Sequence, residues 1–352
     1  MTRKLLLHIG FHKTGSTSIQ RFLAESEIAL AEHGWSFARS GPPDRPDRGH
    51  YRGLVRLHRD PTDDHIQAKF RLQRFVEIAE RHTSGDGTRG DVIISSELLS
   101  WVSDPEELRA LAEVLRSSFD EITILAFIRR QDSLAVSHSQ QVVKPRRNGL
   151  LSPAHVLYEP SLTPLPPLAP RTRNYLDFAK TLRAWGAAFG EHRVETLTYA
   201  PASDVIVPVA SKLGLAFEPD SVRENVGLDA RRDLFNRVLA VAESPAWINR
   251  LAFDFDIEPI GGSLLPTPSE ARSFLEQFSS GNRWLEGIGA TFAPGLENKE
   301  SVSVERCLPT ALDAVDRFIA ETSEGPHAHG LEHELDRVAE TARRLRSGAV
   351  SP

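Results

Sequence analysis

Cys307 is the only cysteine among 352 residues. No internal disulfide can form and no site built from several thiolates is available, which fits a reducing compartment. Long apolar runs are missing too. Charge-free stretches stop at about 11 residues, short of the ~20 that a membrane-spanning helix needs. There is no excess of positive charge either: 42 Lys and Arg against 48 Asp and Glu leave a net charge of −6, which argues against general binding of nucleic acid or anionic membranes while leaving room for a local basic pocket. The first residues, Met-Thr-Arg-Lys-Leu-Leu-Leu-His, lack the longer apolar core and small-residue cleavage site of a signal peptide, so a cytoplasmic protein is expected. Lysine is scarce, at 7 of the 42 basic residues. That skew says little about function, but it makes Lys13, inside a glycine-bounded loop, easy to notice.

What is present suits a soluble globular protein. Apolar residues make up 40% and charged residues 26% of the chain, enough to build a core and to exclude wholesale disorder. At ~150 residues per domain, the length suggests two domains or one large decorated α/β domain. Four short apolar runs, residues 5–9, 92–95, 122–128 and 194–199, read as buried strands. Helical spacing covers 15–33, with Ile19, Phe22, Leu23 and Leu30 on one face and Gly34 as the stop. It covers 104–118, where Asp104, Pro105, Glu106 and Glu107 make a capped, acidic start. It also covers 174–190, and two helices fill 308–347. Strands alternating with helices of this length predict a parallel sheet covered on both faces. The expectation is an α/β core over 1–225, with lid-like insertions at 41–64 and 151–173, and a mostly helical extension over 226–352 packed on that core. A Pro/Gly insert is expected at 259–269.

The most informative stretch runs from Leu5 to Gln20. A buried strand is followed by Gly10-Phe11-His12-Lys13-Thr14-Gly15 and then by Ser16-Thr17-Ser18 at the start of a helix. This is the chemistry of a phosphate cradle: glycines let the backbone approach an anion, free N–H groups at a helix start point at it, and hydroxyls and a lysine add donors and charge. The match to the nucleotide-triphosphate loop, Gly-x4-Gly-Lys-Ser/Thr, is partial. Gly10, Gly15 and Thr17 fit, but Ser16 occupies the lysine position and the lysine has moved to 13. A kinase would lose its β/γ-phosphate contact.

The segment 10–20 resembles the 5′-phosphosulfate loop of the 3′-phosphoadenosine 5′-phosphosulfate-dependent sulfotransferases, in the Lys-Thr-Gly-Ser/Thr-Thr version of bacterial, carbohydrate-directed members. A second block supports the likeness. Arg129 ends a strand and Ser137 follows eight residues on in the next helix, the spacing of that family's 3′-phosphate motif. The adjacent Arg130 leaves the choice of arginine open. Ser133, Ser137, Gln140, Gln141 and Lys144 share one helical stripe. The likeness runs over about residues 4–225 and implies a P-loop-like three-layer fold, in which a central parallel sheet is flanked by helices. It also implies that Lys13, Thr14, Gly15, Ser16, Thr17, Ser18, Arg129 and Ser137 bind the nucleotide, with Lys13 on the leaving group. Gly281-Asn282-Arg283-Trp284 is a candidate for the family's C-terminal cofactor loop.

Sulfuryl transfer needs a base for the acceptor hydroxyl. Glu97, after Ile93-Ile94-Ser95-Ser96, stands where the family carries its base, with His12, His50 and His58 as rivals. His327, His329 and His333 form a terminal cluster read as surface rather than metal site, since no paired acidic scaffold accompanies it, and no metal requirement is expected. The sequence therefore predicts transfer of a sulfuryl group from the nucleotide donor to a hydroxyl, less readily an amine, of a small metabolite or glycan. The rival functions are a P-loop nucleotide-dependent kinase and a non-catalytic nucleotide-binding module.

Overall fold

Leu5, Leu6, Leu7 and His8 are all buried although they alternate in direction along one strand, which is the signature of a central strand covered on both faces. In the computed structural model, residues 2–40, 53–59, 64–82, 90–144, 154–200, 204–216, 228–292, 295–296, 301–324 and 332–348 are described. In chain order the elements are β1 (Lys4–His8), α1 (Ser16–Glu25), α2 (Glu27–Glu32), β2 (Trp35–Ala38), β3 (Val55–Arg59), β4 (Ile66–Phe70), α3 (Leu72–Arg81) and β5 (Asp91–Ser95). Then come α4 (Pro105–Arg116), β6 (Glu121–Ile128), α5 (Gln131–Val143), α6 (Ala154–Leu157), α7 (Pro170–Leu176), α8 (Phe178–Phe189), β7 (Val194–Thr198) and α9 (Ile206–Leu213). The remainder is α10 (Ala230–Val241), α11 (Ala246–Asp254), β8 (Ser263–Leu264), α12 (Pro268–Glu276), α13 (Ser279–Gly287), β9 (Ser301–Val302), α14 (Val304–Glu324) and α15 (Glu332–Arg346).

Two compact units emerge. The first comprises Met1–Arg130, Ala169–Asn225 and Phe278–Ala293; the second comprises Gln131–Leu168, Val226–Gln277 and Pro294–Pro352. One cut thus falls at 225/226, and the second unit also takes 131–168.

The first unit holds a five-stranded sheet in the order β2-β5-β1-β6-β7, parallel throughout. Numbered among themselves, its strands run 2-3-1-4-5, so β1 is central and the chain leaves it in both directions, the place where α/β sheets bind ligands. On one face Leu6, Ile93, Leu125 and Phe127 pack with Ile19, Phe22 and Leu23 of α1 and Val209 and Leu213 of α9. Successive strand residues point to opposite faces, and α4 and α8 pack on each other beside β6 and β7. The result is the P-loop-like three-layer α/β fold. A β3–β4 hairpin is antiparallel.

The second unit, taken by itself, is mostly helical around a core that includes Leu234, Phe235, Val238, Val315, Phe318 and Val338. Its centre also holds an ion pair: Arg237 donates to Asp233 at 3.0 Å, with both side chains fully buried. The guanidinium is satisfied further by the Ser139 hydroxyl and the carbonyls of Ser161 and Thr163, each at 2.8 Å.

Several expectations need correction. The 15–33 helix is two helices, because the chain breaks at Ser26, whose amide turns back to the Phe22 carbonyl. The 174–190 helix is preceded by α7 and begins anew at Asp177, whose side chain accepts from the Lys180 amide. The 41–64 stretch is not all loop, since it contains β3. The 151–173 stretch carries α6 and the start of α7, with Leu157, Tyr158 and Leu162 buried, so its described part is packed structure rather than a free lid. β8 lies within 259–269, and Thr267 forms a reciprocal cap with Glu270 there. Gly281–Trp284 is no loop: it lies inside α13, with Trp284 under the Arg183 guanidinium at 4.7 Å. The sequence also misses β2, too short and mixed to show a period.

Candidate phosphate and acid–base site

The site grows from the C-terminal ends of β1, β5 and β6, which lie side by side. The Ile9 amide bonds the Leu125 carbonyl and the Ser96 amide bonds the His8 carbonyl, so the loop after β1, the turn holding Glu97 and the residues following Ile128 all leave the sheet at one edge.

The loop between β1 and α1 is tightly folded. Gly15 caps α1 with φ 83, and a Cβ there would lie 2.7 Å from Val205, so both conformation and space demand glycine. Lys13 is one of only two described non-glycine residues with positive φ, at 62, a conformation that costs a lysine of order 1 kcal/mol and that surrounding structure must hold. The backbone is held by the Thr14 hydroxyl, which donates to the Phe11 carbonyl. Thr14 and Ser16 are buried, while Lys13, Thr17 and Ser18 are exposed. No acidic residue sits in the first turn of α1 and no side chain caps it. The Ser16 and Thr17 N–H groups have no carbonyl partner within the helix, and this positive end, which the Glu97 carboxylate meets through the Ser16 hydroxyl, favours negative charge. Arg129 reaches this loop from the end of β6, donating to the Lys13 carbonyl at 3.3 Å with its guanidinium 5.3 Å from the centre of the Tyr199 ring.

Beneath the loop lies a polar group with no role in the sequence-based expectation. His8 is buried, its Nδ1 pairs with the Ser95 hydroxyl at 2.8 Å, and Gln20 donates to the same hydroxyl at 3.2 Å. A Cβ on Gly10 would stand 2.6 Å from His8 Nε2, so the first loop glycine lets the backbone cross the imidazole. Burial pushes the His8 pKa down to about 4.

Glu97 opens a 3₁₀ turn, Glu97–Trp101, directly after Ser96. Its carboxylate lies 3.6 Å from His12 Nε2. Burial raises its pKa, while the Ser16 hydroxyl and the Lys13 ammonium pull it back. His12 is in turn tied to Tyr175: the phenol oxygen accepts from the His12 amide at 3.0 Å and pairs with Nδ1 at 2.7 Å. With the phenol O–H donating to Nδ1, the neutral ring carries its own proton on Nε2, the edge that faces Glu97. Burial also drives the Tyr175 hydroxyl pKa upward, keeping it a neutral donor. Tyr175 packs on Trp101, ring centres 4.6 Å apart.

The structure thus brings Lys13, Thr14, Gly15, Ser16, His12, Glu97 and Arg129 to one edge of the first unit. Ser137 lies on α5 in the second unit. On that helix 133, 137, 140 and 141 are half-exposed and 144 is exposed amid buried neighbours, matching the expected stripe, although Gln140 donates to Asp233. His50 lies outside the described residues, as do His327 and His329. His58 pairs with Gln67 in the β3–β4 hairpin, and His333 is exposed on α15. Among the described residues there is no cluster of three or more metal-binding side chains and no helix long and apolar enough to cross a membrane. Tyr175 and Trp101 are site residues the sequence did not single out; the only signal was two aromatics beside polar positions.

No protein-family model matches the chain, and no curated protein matches it. Among solved structures, a sulfotransferase from Alicyclobacillus acidocaldarius is 14% identical over 72% of this chain and 95% of that one, with a TM-score of 0.35. A superposition that loose carries no weight for the chemistry, which rests on the chain's own residues.

Proposed function

We propose that the protein is a sulfotransferase that moves a sulfuryl group from 3′-phosphoadenosine 5′-phosphosulfate to a hydroxyl, less readily an amine, of an acceptor. The observation that carries this is the loop 10–15, in which Lys13 is thrust out beside the start of α1 with the Glu97 carboxylate next to both. The donor set fits a phosphosulfate: exposed hydroxyls of Thr17 and Ser18, the Ser16 and Thr17 amides and one ammonium. Arg129 and, by spacing, Ser137 take the 3′-phosphate.

In the transfer the acceptor oxygen forms a bond to sulfur as the bond from sulfur to the bridging phosphate oxygen breaks, and adenosine 3′,5′-bisphosphate leaves. Lys13 and the α1 N-terminus stabilise the charge that grows on the bridging oxygen. The acceptor proton passes to the Glu97 carboxylate, and His12, held by Tyr175, orients that carboxylate. No step in this scheme calls for a metal, so chelators should leave turnover intact.

The test is thermal unfolding with nucleotides. Adenosine 3′,5′-bisphosphate at 100-fold over its dissociation constant should stabilise the protein by ~2.7 kcal/mol without metal. A larger shift with Mg-ATP would favour a kinase, and nucleotide binding without turnover on any acceptor would favour a non-catalytic module.

A further inference from the structure

The centre of the second unit holds two charges where apolar side chains would pack as well. Asp233 and Arg237 lie one turn apart on α10, 3.0 Å from each other, and neither exposes any surface. Taking both charges out of water costs about as much as their attraction returns, so a well-packed apolar pair of similar size would serve stability equally or better. The guanidinium is not even fully paired, since its Nη2 has no hydrogen-bond partner. Stability alone does not account for such a pair.

Its other bonds do. From α5, the Ser139 hydroxyl accepts from Arg237 Nη1 at 2.8 Å, and Gln140 Nε2 donates to Asp233 Oδ2 at 3.1 Å. The carbonyls of Ser161 and Thr163 meet the same Nη1, each at 2.8 Å. That turn is itself held closed by the Thr163 amide, which donates to the Ser161 hydroxyl at 3.2 Å. All of these residues belong to the second unit. The grip matters because apolar contact specifies α5 poorly. Leu134, Ala135, Val136, Val142 and Val143 are all buried, and at about 3.6 residues per turn they spread over more than half of the helix circumference. A small rotation exchanges one apolar residue for another at little cost. The bonds at 139 and 140 are directional and sit on neighbouring positions, so together they fix how the helix is turned. Ser137 stands beside them, three residues before Gln140 on the half-exposed stripe.

Resting on the sulfotransferase reading, we infer that Asp233 and Arg237 are positioning residues for the 3′-phosphate: they fix the rotation of α5 and with it the Ser137 hydroxyl. Both are sealed from the nucleotide, so they act only through α5. A buried polar anchor of this kind sets register at a cost in stability. A hydroxyl turned away from its phosphate loses the short, directed geometry a hydrogen bond needs, and the contact is lost.

The test compares full-length variants by calorimetric titration with adenosine 3′,5′-bisphosphate and with adenosine 5′-phosphate. Asp233→Leu/Arg237→Met replaces the pair with apolar side chains, while Ser139→Ala/Gln140→Met releases α5 and keeps the pair. Both variants should bind the bisphosphate about tenfold or more weakly, the loss expected for one contact to a charged group, and adenosine 5′-phosphate as before. The Tm of the first should match or exceed that of the wild type. Ser137→Ala should cost the wild-type protein as much, yet cost neither variant anything further, because the hydroxyl is already out of place. Equal losses for both nucleotides, undiminished bisphosphate binding in Ser139→Ala/Gln140→Met, or a full Ser137→Ala effect in that variant would each overturn the inference. Should the apolar pair prevent folding, the second variant decides alone. Failure of the sulfotransferase reading looks different: the wild-type protein itself then shows no preference for the bisphosphate, and the inference falls with it.

Discussion

The Glu97 carboxylate and the His12 imidazole approach to 3.6 Å, Oε2 to Nε2, with side chains only 19% and 9% exposed. Burial holds the Glu97 carboxyl above the ordinary carboxylate range, and the two groups are fixed by different parts of the chain. Glu97 is placed by the end of β5, and His12 by the Tyr175 hydroxyl.

Glu97 must be ionised to accept a proton, and burial raises its pKa. Turnover should therefore rise with pH through a limb displaced above the ordinary carboxylate range and lie flat beyond it. Glu97→Gln should keep nucleotide binding, abolish that limb and lower kcat by ~10²–10⁴-fold. A pH–rate profile of the two proteins checks this. An unchanged limb in the variant would assign it to another group.

Lys13 is expected to act on the transition state more than on the ground state, because charge grows on the bridging oxygen only as the sulfuryl group departs. Lys13→Ala should lower kcat strongly with a modest change in bisphosphate affinity. Calorimetric titration beside single-turnover kinetics separates the two; a pure binding defect would leave the leaving-group role without support.

Arg129 bonds the loop that carries Lys13, which makes it rather than Arg130 the arginine expected on the 3′-phosphate. Arg129→Ala should weaken adenosine 3′,5′-bisphosphate by ~1.5–3 kcal/mol while leaving nucleotides without a 3′-phosphate nearly unaffected. Arg130→Ala should do neither. Parallel titrations with adenosine 5′-phosphate decide it, and equal losses for both nucleotides would mark Arg129 as a support of the loop.

His8 gives the fold an acid limit. Its pKa is about 4 folded against 6.5 ordinarily. Between those values the unfolded chain takes up a proton that the folded chain refuses, so stability is full above about 6.5 and falls as pH drops towards 4, by up to roughly 3 kcal/mol from this group. His8→Gln should flatten part of that loss. Urea midpoints at pH 7 and pH 4.5 measure it, and the same drop in both proteins would place the acid sensitivity elsewhere.

The sheet core and the loop are legible in the chain alone. Residues 5–9, 92–95 and 122–128 are apolar enough to read as strands buried on both faces, and Gly10, Lys13, Gly15 and Ser16 carry their chemistry in a local pattern that the chain itself displays. Asp104 likewise announced α4, and the structure shows its side chain accepting from the Glu106 and Glu107 amides. The rest of the site is set by contacts between distant residues. Tyr175 is 163 positions from the His12 it holds, Gln20 is 75 from Ser95, and Trp101 and Lys180 meet around one cleft. None of these leaves a local trace, because hydrogen bonds and desolvation act through space. Short strands of mixed composition such as β2 and β3 were hidden for the same reason. Their pairing partners, rather than their own composition, make them strands, and only the folded sheet supplies those partners.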